Sequence, residues 1–163
     1  MLVLIRHGKA EDGFGKPDEE RELTDEGRKE CQQFFRALKS FLAPIDSIVS
    51  SPLVRAVQTA DILAGFYPKA KRKELEQLSP WGEPVRLDDP LREILQRGSC
   101  ALVSHEPFLS HMIGYLLSGN VRPLVEVKKG GVSVLEYLGP TVAGGFCLQT
   151  HISPKLYRLL RES

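Results

Sequence analysis

Two arginines and two histidines stand where a folded chain can bring them together. Arg6-His7 directly follows the apolar run Leu2–Ile5, Arg55 lies one helical turn after Ser51-Pro52, and His105 directly follows Cys100–Ser104. A guanidinium is a planar fork that stays charged and grips phosphate oxygens in pairs. A neutral imidazole can attack phosphorus, and a protonated one can bind its oxygens. Gly8, with no side chain, lets backbone approach a ligand closely. Two forks, two imidazoles and a glycine suit phosphoryl transfer, in which positioning and charge stabilisation supply most of the catalysis. His111, inside a helical segment, and His151, late in the chain, lack this placement and read as structural.

The elements that must position these groups follow from hydrophobic periodicity. Leu2–Ile5 is a continuous apolar run, as in a strand covered on both faces. Residues 25–42 carry Cys31, Phe34, Phe35, Leu38, Phe41 and Leu42 on one helical stripe, with Thr24 as N-cap and Asp25 and Glu26 in the first turn. Strands are expected at 46–50, 72–76, 100–104, 132–138 and about 146–152. Helices are expected from Ser51-Pro52 (Ser as N-cap, Pro at the first helical position) with the stripe Leu53, Ala56, Val57, Ala60, Leu63 and Ala64, over 84–96, over 107–117, and over 154–161. Strands alternating with helices predict an α/β fold: a three-layer α/β/α sandwich, a mostly parallel sheet with helices on both faces, in one domain spanning 1–163. Ligands of such sheets sit beyond the carboxyl ends of the strands, where Arg6, His7, Arg55 and His105 fall.

Composition limits the alternatives. The 163 residues hold 22 Lys+Arg against 21 Asp+Glu, a formal charge of +1. That balance disfavours nucleic acid and polybasic membrane binding, but a small anion needs only a few placed cations. Cys31, Cys100 and Cys147 are odd in number and form no C-x-x-C pair, so buried thiols in a reducing, cytoplasmic setting are expected. The first apolar run is too short for a signal-peptide core, and no run approaches a membrane span. No motif calls for a metal or cofactor: H-E-x-x-H, spaced Cys/His clusters and G-x-x-x-x-G-K-[ST] are absent.

The pattern resembles the histidine phosphatase, or phosphoglycerate mutase-like, superfamily. Arg6-His7-Gly8 is similar to its nucleophile motif. Arg21-Glu22-Leu23-Thr24-Asp25-Glu26-Gly27 resembles R-x-L-T-x-x-G, and Ser51-Pro52-Leu53-Val54-Arg55-Ala56-Val57-Gln58-Thr59-Ala60 resembles S-P-x-x-R-A-x-Q-T-A. Val103-Ser104-His105-Glu106-Pro107 resembles V-x-H-x-P. The size, with Leu78-Ser79-Pro80-Trp81-Gly82 resembling L-x-P-x-G, points to the short SixA-type phosphohistidine phosphatases. The resemblance implies His7 as nucleophile, Arg6, Arg55 and His105 as the phosphate pocket with Gly8 beside it, and a phosphohistidine intermediate hydrolysed by water without a metal.

The mutase branch carries long insertions that cap the site and supply an acidic proton donor. Here only about twenty residues separate Leu78 from Ser99, and the donor glutamate has no clear counterpart; Glu83, Glu11 and Asp12 are candidates. A short cap implies an open, shallow site able to admit phosphohistidine displayed on a protein. Expected partners are therefore a phosphorylated protein or a small phosphorylated metabolite. A phosphomonoesterase for small molecules and a phosphate-binding module without turnover are the competing readings. Trp81 is read first as a packing residue and otherwise as a stacking surface; Lys128-Lys129-Gly130-Gly131 reads as an exposed turn.

Overall fold

The structure is a computed structural model and describes residues 1–162. Six strands form one sheet: β1 (Leu2–Arg6), β2 (Ser47–Ser50), β3 (Lys71–Glu74), β4 (Cys100–Ser104), β5 (Val132–Tyr137) and β6 (Phe146–Ile152). Their order is β3-β2-β4-β1-β5-β6. The first four run parallel, and β5 and β6 extend the sheet in antiparallel fashion. The α/β class, with a mostly parallel sheet, is as the sequence predicts.

Helices α1 (Asp25–Leu38), α2 (Val54–Ala64), α3 (Asp88–Gln96), α4 (Phe108–Ser118) and α5 (Pro154–Glu162) complete the layers. Alternation along β1 decides what each face buries. Leu2 and Leu4 enter one core with Leu87 and Leu91 from the α3 region and Phe108, Met112 and Ile113 from α4. Val3 and Ile5 enter the other with Phe34 and Phe35 of α1 and Ala56, Ala60 and Leu63 of α2. Residues 84–96, expected as one helix, divide into a 3-10 turn (Pro84–Leu87) and α3.

Two helix ends differ from expectation. The backbone N–H of Ser51 donates to the Val103 carbonyl at 2.9 Å, prolonging the β2–β4 ladder. Ser51 is thus committed to the sheet, and α2 begins at Val54 instead of Pro52. At the other end of α1, Ser40 Oγ donates to the Ala37 carbonyl at 2.7 Å, and the helix stops at Leu38. Phe41, placed on the buried stripe by its spacing, is 83% exposed. Cys31 and Cys100 are buried, but Cys147 is exposed on the edge strand β6. Burial pushes the Cys31 thiol up to about 12, which leaves it protonated and inert at neutral pH.

Candidate active site

Register brings the site together. Arg6 of β1 pairs with Ser104 of β4, so His7 and His105 leave adjacent strands side by side. Their ring centroids are 5.0 Å apart. The His7 N–H donates to the Ser104 carbonyl at 3.0 Å, and the Gly130 N–H donates to the His7 carbonyl at 3.0 Å. The nucleophile candidate is thus held by β4 on one side and by the turn that leads into β5 on the other.

The motif residues outside the site explain themselves as scaffolding. The Gly8 N–H donates to Thr59 Oγ1 (3.1 Å), and the Thr59 hydroxyl donates to the Arg55 carbonyl (2.7 Å). Gln58 Oε1 accepts the Leu23 N–H at 2.8 Å, tying α2 to the segment before α1. Ala56 and Ala60 are fully buried against the sheet. Thr24 caps α1 as predicted, accepting the Gly27 N–H at 3.0 Å. A Cβ on Gly27 would sit 2.1 Å from the Lys9 carbonyl oxygen, so this position requires glycine.

Hydrogen bonding sets the tautomer of His7. Nδ1 lies 2.8 Å from the Gly8 carbonyl oxygen, which can only accept, so Nδ1 carries the proton and Nε2 keeps its lone pair. Burial first, then the charges of Arg55, Arg6 and Lys129, push the imidazole down to about 3. Nε2 is therefore a neutral nucleophile across the physiological range. His105 is 1% exposed, and neither ring nitrogen has a hydrogen-bond partner. Burial, with His7 and the arginines, pushes it down to about 2.

The two arginines differ in how they are held. Arg6 donates from Nη1 to the Val127 carbonyl at 2.9 Å, while its buried Nε has no partner. Arg55 donates from Nε to His7 Nε2 (3.3 Å), from Nη1 to the Asp18 carbonyl (2.5 Å) and from Nη2 to Asp18 Oδ2 (2.8 Å). Asp18 Oδ1 also accepts from Arg21 at 2.7 Å. Those two guanidiniums hold the Asp18 carboxyl below its usual range although its partial burial opposes this. Tetrahedral oxyanions match the chemistry of this arrangement: donors without partners, positive charge, and an unprotonated imidazole nitrogen.

All five sequence candidates, Arg6, His7, Gly8, Arg55 and His105, fall into one cluster. Among the described residues, no hydrogen bond or ion pair joins Glu83, Glu11 or Asp12 to it. Glu83 pairs with Arg86, and Glu11 pairs with Lys16 and accepts the Glu22 N–H. Asp18, Thr59, Val127 and Glu106 are the residues that sequence reasoning missed. Thr59 and Glu106 could have been found, since both lie inside quoted motifs. Trp81, read first as packing, is 60% exposed; Lys128 and Lys129 are exposed as expected, and Lys129 adds its charge to the field on His7.

Known proteins share this arrangement of elements. The protein histidine phosphatase SixA, solved with tungstate, superposes with a TM-score of 0.81 at 22% identity, covering 94% of this chain and 97% of that one. The phosphoserine phosphatase of Entamoeba histolytica, solved with 3-phosphoglyceric acid, gives 0.69 at 18% identity over 93% and 96%. An uncharacterized protein of Picosynechococcus is 27% identical over 97% of this chain and 94% of its own. The serine/threonine-protein phosphatase Pgam5, mitochondrial, of Drosophila virilis is 35% identical over 55% of this chain. That match spans only 31% of the fly protein's length. Residues 2–83, carrying Arg6-His7-Gly8 and the Ser51–Ala60 motif, match the family profile of the histidine phosphatase superfamily (branch 1), and the chain belongs to that family.

Proposed function

We propose that this chain is a metal-independent phosphatase that works through a phosphohistidine on His7 and acts on phosphohistidine in proteins. The observation that carries the reading is the buried, unprotonated Nε2 of His7 among Arg6, Arg55 and His105. Nε2 attacks phosphorus in line; the P–Nε2 bond forms as the bond to the leaving group breaks. Arg6, Arg55 and His105 hold the non-bridging oxygens as charge shifts onto them. Water then attacks the phosphohistidine, the P–Nε2 bond breaks, and inorganic phosphate leaves.

Two features support a phosphoramidate substrate. A protonated phosphohistidine releases a neutral imidazole, so the step needs no strong acid, and none of Glu83, Glu11 and Asp12 contacts His7 or the pocket arginines through a described hydrogen bond. Residues 84–96 pack Leu87 and Leu91 into the core, and Tyr115 ties Asp88 to α4 at 2.9 Å. This segment is thereby engaged with the helical layer, which favours an uncapped site and a protein-borne substrate. We also place the protein in the cytoplasm, where three free thiols persist; no helix of the described residues is long and apolar enough to cross a membrane.

Trapping of acid-labile labelled phosphoenzyme tests the chemistry. The parent should retain label and His7→Ala should not. A panel of phosphohistidine protein, sugar phosphates and nucleotides, run with chelator present, tests the substrate class. Turnover confined to the small esters would reassign the substrate, and loss of activity in chelator would overturn the metal-free route.

A further inference from the structure

We propose that Glu106 is the positioning residue for Arg6, acting through the backbone of Val127; this rests on the reading of Arg6 as a phosphate ligand. Glu106 follows His105 directly, yet its carboxylate makes no described hydrogen bond to the pocket histidines or arginines. Oε1 accepts the Val127 N–H at 2.7 Å. Oε2 accepts from the Ser110 N–H at 3.3 Å and from the Ser110 hydroxyl. One carboxylate thus joins the first turn of α4 to the chain that leads into β5.

Val127 is fully buried, and its carbonyl accepts from Arg6 Nη1 at 2.9 Å. The two polar groups of Val127 are therefore held by Glu106 on one side and by Arg6 on the other. Arg6 Nε has no partner, so Val127 is the described hydrogen bond that fixes the guanidinium. A half-buried arginine with a single described anchor takes its direction from that anchor.

Charge adds a second effect. Burial lowers the pKa of Arg6, and the negative charge of Glu106 opposes this shift. Together with Glu126, the carboxylate balances the half-buried cation without a described bond to its N–H groups, of which Nη1 is taken by Val127 and Nε has no partner. Arg55 is balanced differently: Asp18 sits directly on its Nη2. The two arginines of the pocket are therefore held differently: Arg55 has a described partner on each of its three nitrogens, whereas Arg6 is held at Nη1 by a backbone carbonyl and its nearest carboxylate acts at one remove.

The test is a double-mutant cycle read by calorimetric tungstate binding. Arg6→Ala should weaken tungstate. Glu106→Ala should weaken it by about tenfold, the scale of a hydrogen bond to a charged group. Glu106→Gln, which keeps an acceptor for Val127 but loses the charge, should fall between the parent and Glu106→Ala. In the Arg6→Ala background, Glu106→Ala should shift the affinity less than about twofold, because coupled residues are not additive. An equal loss in both backgrounds would show a merely structural role and overturn the proposal. Thermal melts report folding, and if Glu106→Ala does not fold, the same cycle is run with Glu106→Gln. Tungstate binding unaffected by Arg6→Ala would overturn the phosphate-pocket reading itself, a separate outcome.

Discussion

Mild acid should destabilise this fold through the two histidines at its centre. His7 and His105 sit near 3 and 2, against 6.5 for a free imidazole. Between those limits the unfolded chain binds protons that the native state refuses, so stability falls as pH falls through about 6.5. At about pH 5.5 each group costs RT ln(1 + 10), about 1.4 kcal/mol, and at about pH 7.5 almost nothing. The pair should therefore remove about 3 kcal/mol over that interval, a large share of the stability of an ordinary domain. His151 is also lowered by burial and acts in the same direction. The lowered carboxyls of Glu11, Asp18 and Glu26 lose their stabilisation only at more acid pH, below the ordinary carboxylate range of about 4 to 4.5, so they do not confuse the interval. Urea unfolding at the two pH values measures the loss. His105→Asn should reduce it by about 1.4 kcal/mol, and His7→Asn with His105→Asn by twice that. A double variant that keeps the parent's full pH dependence would refute the assignment of both rings as buried and neutral.

Three further outcomes follow from the same contacts. A Cβ at Gly8 would lie 2.6 Å from Cys31 Sγ and 3.3 Å from Leu23 Cδ2, so Gly8→Ala should cost about 1–3 kcal/mol in urea melts; adding Cys31→Ala should recover part of that, whereas strict additivity would contradict the clash. Thr59→Val leaves the buried Gly8 N–H without its acceptor and should cost about 1–3 kcal/mol, with a matching fall in turnover as the His7-Gly8 turn loosens; unchanged stability would deny the bond its role. Asp18→Asn removes the anion that faces Arg55 and should tighten tungstate by about three- to tenfold, since a competing charge near a buried cation is lost; weaker binding would mean that Asp18 organises Arg55 instead of competing for it.

What could be read from sequence was whatever local order records. The apolar runs Leu2–Ile5 and Cys100–Val103 mark β1 and β4, and the chemistry sits at or just past the end of each strand, so Arg6, His7 and His105 were legible together. Arg55 was legible because Ser51-Pro52 marks the strand-to-helix turn, even though the Ser51–Val103 hydrogen bond delays the helix to Val54. Phe41 misled because periodicity carries no information on where a helix frays, and the Ser40 hydroxyl decides that locally. Asp18 and Val127 lay beyond reach for a different reason. Asp18 opens a single 3-10 turn (Asp18–Glu20) and Val127 lies in a loop, both too short or irregular to show a period, and each meets its arginine across more than a hundred residues or several elements of chain. Thr59 and Glu106 sat in plain view inside motifs, but a motif records residue types and not the partners they will find.

The central position of β1 also governs when the site can exist. Its neighbours are β4 on one side and β5 on the other, made some ninety and more residues later. His7 leaves the ribosome well before His105, Val127 and Gly130. At about 5–20 residues per second, His7 waits on the order of ten seconds for its walls. Until then the residues that surround His7 in the folded chain are missing, so the proposed phosphoryl transfer has no assembled site. A ribosome stalled before β5 would leave β1 without one of its two neighbours, presenting an unpaired strand edge to other chains.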